Sequence, residues 1–395
     1  MKILILEDNI EKRNEIEHEI LLFNSEVSID TADNFMEFTQ SINRVKFDLI
    51  IIDLVIPHFP KNKDDKKDMS EYIIESLRHP TCPNLATPAF GLTEFLDKAE
   101  GNFAKLNAHD IVIITYTKTR SEWKDLLLKK IRDCTPKKTY DAVIICALKK
   151  EADAFKAAGF PVRDAFIHNN LSCSEIDIGA FKGVIVTLPN MGLVNSAICS
   201  ALSIEYFSPQ IICMSGICAG LEEKTKIYDV VIPYICHQHD FGKWTEEGFK
   251  YESSHIQIDH NLKMKIEHLI QNADFNKRIS SNLNLSKIEF PHGVDNLIPR
   301  CMLAAASSGN SVVGTTEMVS SISSQGRKLY AFEMETFALY EAARTSIIEP
   351  LFFSAKSVVD NGNEHKSDDY HRVACLLSAK VTFDILMNVI KSNGD

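Results

Sequence analysis

From the N-terminus, short apolar runs alternate with segments whose apolar residues recur at helical spacing. Lys2 to Leu6 reads as a strand leading to Glu7 and Asp8, and Ile10 to Phe23 as a helix. VSIDTAD and a helix near Phe35 to Ile42 come next, then FDLIIIDLVIP, a strand ending in Asp53. TPAFGLTEF ends a fourth strand at Thr93, DIVIITYTKT is a fifth, and Glu122 to Arg132 closes the series as a helix. Strands alternating with helices in this way predict a doubly wound parallel sheet, here over residues 1–135.

After Cys134, TPKK reads as a connector, and a second α/β pattern occupies residues 140–395. YDAVIICAL is a buried strand, and in KKEADAFKAAGF the residues Ala152, Phe155 and Ala158 share one helical face, which puts Glu151 at a strand-to-helix junction. GVIVTLPNMG runs into a helix from Asn195 to Tyr206, QIICMSGICAG into a turn of small residues, and KIYDVVIPYICHQHDFGKW reads as a strand pair. The stretch from Ala331 to Glu364 then combines the acidic motif FEMET, a helix from Thr336 to Arg344, a stop at Pro350 and an apolar strand from Leu351 to Val359. That strand delivers Asp360 into the turn-forming run Asp360, Asn361, Gly362, Asn363. A strand so apolar is expected to be buried on both faces of a mainly parallel sheet.

Composition narrows the class. At 395 residues the chain exceeds one typical core, and a net charge of −11 argues against a dedicated nucleic-acid surface. The ten cysteines contain no CxxC pair, so a zinc site or disulfide framework is not expected and a reducing cytoplasm is. No basic-then-apolar leader opens the chain, and no apolar run reaches the ~20 residues of a membrane helix.

The candidate chemistry lies at strand ends. Glu7, Asp8 and Asp53 would reach one carboxyl edge of the first sheet, where converging carboxylates call for a hard cation such as Mg2+. Each alone also serves as a helix cap or turn residue. In the second pattern Glu335 and Asp360 lie one helix and one strand apart, and Glu151 stands in a first helical turn, where a carboxylate also suits the helix dipole. Gly216 and Gly220 in SGICAG would let backbone approach a ligand, although a tight turn needs the same residues.

Residues 1 to about 135 resemble the receiver domain of bacterial response regulators, with a flavodoxin-like fold: the acidic pair Glu7 and Asp8, Asp53 in a D-x-x-x-P context, and Thr93 in GLTEF. The resemblance implies phosphorylation of Asp53 by an upstream histidine kinase or phosphotransfer protein, with Mg2+ held by Glu7, Asp8 and Asp53. Two departures stand out. The fifth strand lacks the family's Lys-Pro pair, leaving Lys118 as the nearest replacement, and a loop is inserted from His58 to Met69.

Residues 140 to 391 resemble the purine nucleoside phosphorylase and nucleosidase superfamily, a three-layer α/β fold, through ALKKEA, PNMG, SGICAG, IYDVVIP, SSGNSVVG, FEMET and SVVDNGN. This resemblance implies that Glu335 binds the ribose hydroxyls with Met334 on the sugar, Asp360 protonates the purine at N7, Val312 and Val313 line the base, and Glu151 activates water. ALKKEA lacks the arginine of a phosphate cradle, so hydrolysis is expected rather than phosphorolysis, with no cofactor. A receiver joined to such a domain resembles the effectors of Detocs-type antiviral systems, which cleave ATP to adenine and ribose triphosphate. Lys243, Arg300, Arg327, Lys328 and Lys356 are then candidates for the 5′ side. Hydrolysis of methylthioadenosine or adenosylhomocysteine, and a non-catalytic nucleotide sensor, are the alternatives. A homo-oligomer without nucleic-acid or membrane partners is the expected state.

Overall fold

In the computed structural model, residues 1–25, 27–60, 66–94, 102–119, 121–135, 138–291, 297–362 and 368–390 are described. The chain divides into two compact units, Met1–Lys137 and Lys138–Asp395.

The first unit opens with β1 (Lys2–Leu6), α1 (Ile10–Phe23), β2 (Ser28–Ala32), α2 (Phe35–Arg44) and β3 (Leu49–Ile52). A hairpin of β4 (Val55–Pro57) and β5 (Lys66–Asp68) follows, then α3 (Ser70–Leu77), β6 (Ala89–Thr93), α4 (Phe103–Ala108), β7 (Ile111–Thr115) and α5 (Glu122–Cys134). The five main strands are parallel in the order β2-β1-β3-β6-β7, a doubly wound order that brings their carboxyl ends to one edge. Side chains fix where helices begin: Asn9 Oδ1 accepts from Glu11 N at 3.0 Å, and Asn34 Oδ1 from Glu37 N at 3.0 Å. The inserted loop from His58 to Met69 contains β5, which pairs antiparallel with β4 just before it. Residues 61–65 of that loop lie outside the described residues.

The second unit holds a ten-stranded mixed sheet. Its elements in order are β8 (Ala142–Cys146), α6 (Lys149–Ala157), β9 (Val162–His168), β10 (Leu171–Ile178), β11 (Phe181–Thr187), α7 (Leu193–Phe207), β12 (Ile211–Gly220) and β13 (Val230–Gln238). After a small hairpin of β14 (Gly242–Thr245) and β15 (Gly248–Tyr251) come β16 (His255–Gln257), α8 (His260–Ile270), α9 (Ala273–Ser280), β17 (Cys301–Ser308), α10 (Thr316–Ser324), β18 (Leu329–Glu333), α11 (Thr336–Thr345), β19 (Leu351–Asp360) and α12 (His371–Val389). Strand β12 pairs with β19, β19 with β13, β13 with β17, β17 with β18, and β18 returns to β12, so five strands close a circuit. The expected mainly parallel sheet is therefore mixed. The β9-β10-β11 meander is antiparallel; β11 carries the apolar run GVIVT, whereas β9 and β10 mix exposed positions into theirs and have no such run. As the apolar pattern requires, β8 and most of β12 and β19 are buried.

Candidate functional site

Seven segments of the second unit meet at a cavity of 590 Å³ lined by, among others, Glu151, Glu335, Met334, Val312, Val313 and Asp360. That volume is ordinary for a small-molecule pocket.

Glu151 enters from the first turn of α6, where its carboxylate closes the helix start. Oε2 accepts from Leu148 N at 2.9 Å and Oε1 from Ile217 N at 3.0 Å. The group is buried, and desolvation pushes its pKa up against the pull of Lys356. A Cβ on Gly216 would overlap this carboxylate, so SGICAG supplies a glycine at this position to make room for Glu151. Neither Gly216 nor Gly220 lines the cavity. Gly216 backs Glu151, and Gly220 packs against Thr225, so neither stands where the expected ligand contact would be.

Glu335 is held from three sides. Its Oε1 accepts from Gly192 N at 3.0 Å, Lys356 Nζ lies 3.2 Å from Oε2, and its backbone carbonyl accepts from Ser196 Oγ at 3.0 Å. Gly192 sits at φ +110, a conformation glycine adopts without strain, which is why PNMG can begin α7 while aiming its N–H at a carboxylate. Two residues earlier, Glu333 accepts from Glu335 N and Thr336 N at 3.0 Å each, capping α11, and also lies 3.2 Å from Lys356 Nζ.

Lys356 was expected among the cations of a remote 5′ side. It is instead 1% exposed, its ammonium shared between Glu333 and Glu335. Burial alone would lower its pKa, but the two carboxylates raise it, so it stays charged. Burial likewise opposes ionisation of Glu333, and Lys356 with the capping bonds outweighs it, holding Glu333 below the ordinary range. Glu335 goes the other way: desolvation, with the charges of Glu333 and Glu151, pushes it up to about 7 against Lys356.

A carboxyl whose folded value lies above its unfolded one binds its proton more tightly when folded. Its contribution to stability is present below 4.5 and is lost as pH rises through about 7. Unfolding free energies of the second unit, measured by urea at about pH 5 and about pH 8, should therefore fall with pH, and Glu335→Gln should flatten that part of the slope. An unchanged slope in the variant would show that Glu335 is ionised throughout.

Asp360 ends β19 half-buried rather than buried, because the apolar run stops at Val359. Its Oδ1 accepts from Gly362 N at 2.7 Å in an Asx turn. Asn363 and Glu364, at the end of the stretch read above, lie outside the described residues. Val313 is buried and Val312 exposed on the cavity wall. At the mouth, Lys150 and His371 are in contact through Nζ and Nδ1, and Asp368 lies 2.9 Å from His371 Nδ1. Sequence reading passed over this pair, because one member is in α6 and the other opens α12. None of Lys243, Arg300, Arg327 and Lys328 lines the cavity, and Arg300 is paired with Asp229.

In the first unit Glu7, Asp53 and Thr93 are buried, at or next to the carboxyl ends of β1, β3 and β6. The lysine beside Asp53 is Lys12, not Lys118. Lys12 Nζ lies 2.7 Å from Asp53 Oδ2 and 2.6 Å from Glu7 Oε2, whereas Lys118 is exposed and pairs with Glu11 at 2.8 Å. Lys118 follows β7 and stays on the surface. Asp8 pairs with Lys66 at 2.6 Å. Among the described residues no group of three or more His, Cys, Asp or Glu is gathered for a metal ion, and Lys12 stands between Glu7 and Asp53, two of the three carboxylates expected to hold Mg2+.

Comparison with known proteins gives this geometry its context. The family model of the phosphorylase superfamily matches residues 141–379. An uncharacterized protein of Sinorhizobium fredii is 22% identical over 96% of this chain and 97% of its own length. The ATP nucleosidase Cap17 of Escherichia coli is 21% identical over 53% of this chain, and the match spans 42% of that protein. Among solved structures, the 5′-methylthioadenosine/S-adenosylhomocysteine nucleosidase of Neisseria meningitidis, in complex with methylthio-immucillin-A, shares the fold of the second unit. It has a TM-score of 0.50 at 19% identity, covering 63% of this chain and 99% of that one.

Proposed function

The chain belongs to the phosphorylase superfamily, and from that premise we propose that it is an N-glycosidic hydrolase that cleaves the N-glycosidic bond of adenine nucleotides, ATP foremost, to adenine and ribose triphosphate. The observation that carries this reading is the cavity itself, with three carboxylates placed on separate elements and a lysine at its mouth.

Cleavage builds positive charge on the ribose and negative charge on the departing purine. Asp360 gives a proton to N7 of the base, and Glu335 holds the ribose hydroxyls and steadies the cationic sugar, much as paired carboxyls do in glycoside hydrolysis. Glu151 takes the proton of the attacking water. A carboxylate is a base for water, and ALKKEA supplies no arginine to cradle phosphate, which together favour hydrolysis over phosphorolysis. Val312 and Val313 give the base its apolar wall.

Lys150 supports a phosphorylated substrate. Its ammonium has no carboxylate partner among the described residues, only the His371 ring, and both stand at the cavity rim. The opposing observation is that Leu148, Met191, Ile217 and Val312 also line the cavity and suit an apolar 5′ group such as a methylthio substituent. Hydrolysis of methylthioadenosine is therefore the second reading.

The first unit is the regulator in this proposal, a receiver-like domain with Asp53 as phosphoacceptor for an upstream kinase or phosphotransfer protein. Glycosidic cleavage of ATP is irreversible, which suits a defence effector held silent until signalled. A regulator works only if charge at Asp53 favours one state of the protein over another.

One experiment tests both parts: wild type and Asp53→Ala are given ATP or methylthioadenosine, with and without an acyl-phosphate donor, and released adenine is measured by mass spectrometry. Adenine from ATP in preference to methylthioadenosine, rising with the donor in wild type alone, is the expected result. Preference for methylthioadenosine would establish the second reading, and equal rates in wild type and Asp53→Ala would remove the gate.

A further inference from the structure

The acidic pocket of the first unit is served by a cation of its own. Lys12 belongs to α1, where it falls on the same face as Ile16 and Ile20 and is buried with them. The side chain is 1% exposed, and burial is tolerable for an ammonium only when every donor finds an acceptor. Each does: besides Glu7 Oε2 and Asp53 Oδ2, Nζ donates to Leu92 O at 2.7 Å. Tyr116 lies over it, with 5.3 Å from Nζ to the ring centroid, and occupies a position just past the end of β7.

The remaining carboxylate oxygens are mostly committed. Glu7 Oε1 accepts from Asn9 N at 2.9 Å, and Asp53 Oδ1 from Val55 N at 3.1 Å. Asp8 spends Oδ2 on Lys66, and only its Oδ1 is buried without a hydrogen-bond partner. A hard divalent ion needs one or two ionised carboxylates turned toward it, water completing its shell. To enter between Glu7 and Asp53 it would have to expel a buried ammonium from three partners, leaving two positive charges in contact or one lysine stranded.

We propose that Lys12 is the resident cation of this pocket, the permanent counter-ion of Asp53, and that the pocket takes no divalent metal. The positive charge that doubly wound acidic pockets can draw from a bound ion is here supplied covalently, from the first helix. Any group that adds charge to Asp53 has to rearrange Lys12 first, which makes the Lys12–Asp53 bond the element a regulatory input would break.

Titration of the full-length protein with Mn2+, followed by the electron paramagnetic resonance signal of the free ion, tests this. Wild type and Asp53→Asn should give the same curve, with no site of roughly millimolar or tighter affinity. Lys12→Gln should open a site that Lys12→Gln/Asp53→Asn closes again. Wild-type binding in that range that Asp53→Asn removes would overturn the proposal, and this comparison needs no Lys12 variant to fold.

Discussion

Glu151→Gln should lower turnover of an adenine nucleotide by roughly 10³-fold while KM changes little, since general-base assistance contributes about 10²–10⁴-fold. Glutamine matches glutamate in shape and can still accept one of the two backbone bonds from Leu148 and Ile217, so α6 keeps its start. What it cannot do is take a proton from water. Steady-state kinetics with adenine release as the signal give both constants. A variant that keeps more than about a tenth of wild-type kcat would remove Glu151 from the role of base, and one that loses binding instead would make it a substrate ligand.

Lys356→Met should destabilise the second unit by about 3–5 kcal/mol, the cost of removing one partner from a buried ionic group. Methionine fills much of the same volume, so the loss comes from Glu333 and Glu335, left facing each other in the interior. Glu333 is the more demanding of the two, because its ionised form caps α11 through Glu335 N and Thr336 N. The deficit should shrink at low pH, where Glu335 holds its proton and one of the two charges is gone. Urea unfolding of wild type and variant at about pH 5 and about pH 8 measures both effects. A loss below about 1 kcal/mol at the higher pH would mean that the two glutamates share a proton and do not need the lysine.

Both buried lysines are visible in the sequence as irregularities, although the sequence suggests a 5′-side role for Lys356 and none for Lys12. In FFSAKSVV a single Lys356 interrupts an apolar strand, and a lysine in such a place is buried only with partners. Lys12 precedes Ile16 and Ile20 by steps of four, which puts it on the inward face of α1. Proximity to the end of β7 pointed instead to Lys118, and along a chain that turns back on itself proximity is a poor guide to reach. The strand-and-turn reading of Leu351 to Asp360 succeeded because burial on both faces leaves a run apolar except at Ser354, Lys356 and Ser357, a strong local signal for a strand. Gly216 was legible as a glycine needing close approach, but its neighbour, the carboxylate of Glu151, comes from 65 residues earlier in the chain and across the sheet. Through-space partners of that kind leave no mark on local spacing, and the Lys150–His371 contact was hidden for the same reason.

The circuit formed by β12, β19, β13, β17 and β18 has no free end at which to open. Glu335 follows the last residues of β18, and Lys356 and Asp360 ride on β19, so their spacing is fixed by a closed hoop of hydrogen bonds. Opening one pairing strains the other four, and amide protons in these strands should exchange only with global unfolding of the unit. In the proposed gating, an input that stretched this hoop would disturb Glu335 and Asp360 together. An input that spares them acts on what lies outside it, the segments carrying Met191, Val312 and Asp368 around the mouth, where admission of substrate can change while the chemical groups stay where they are.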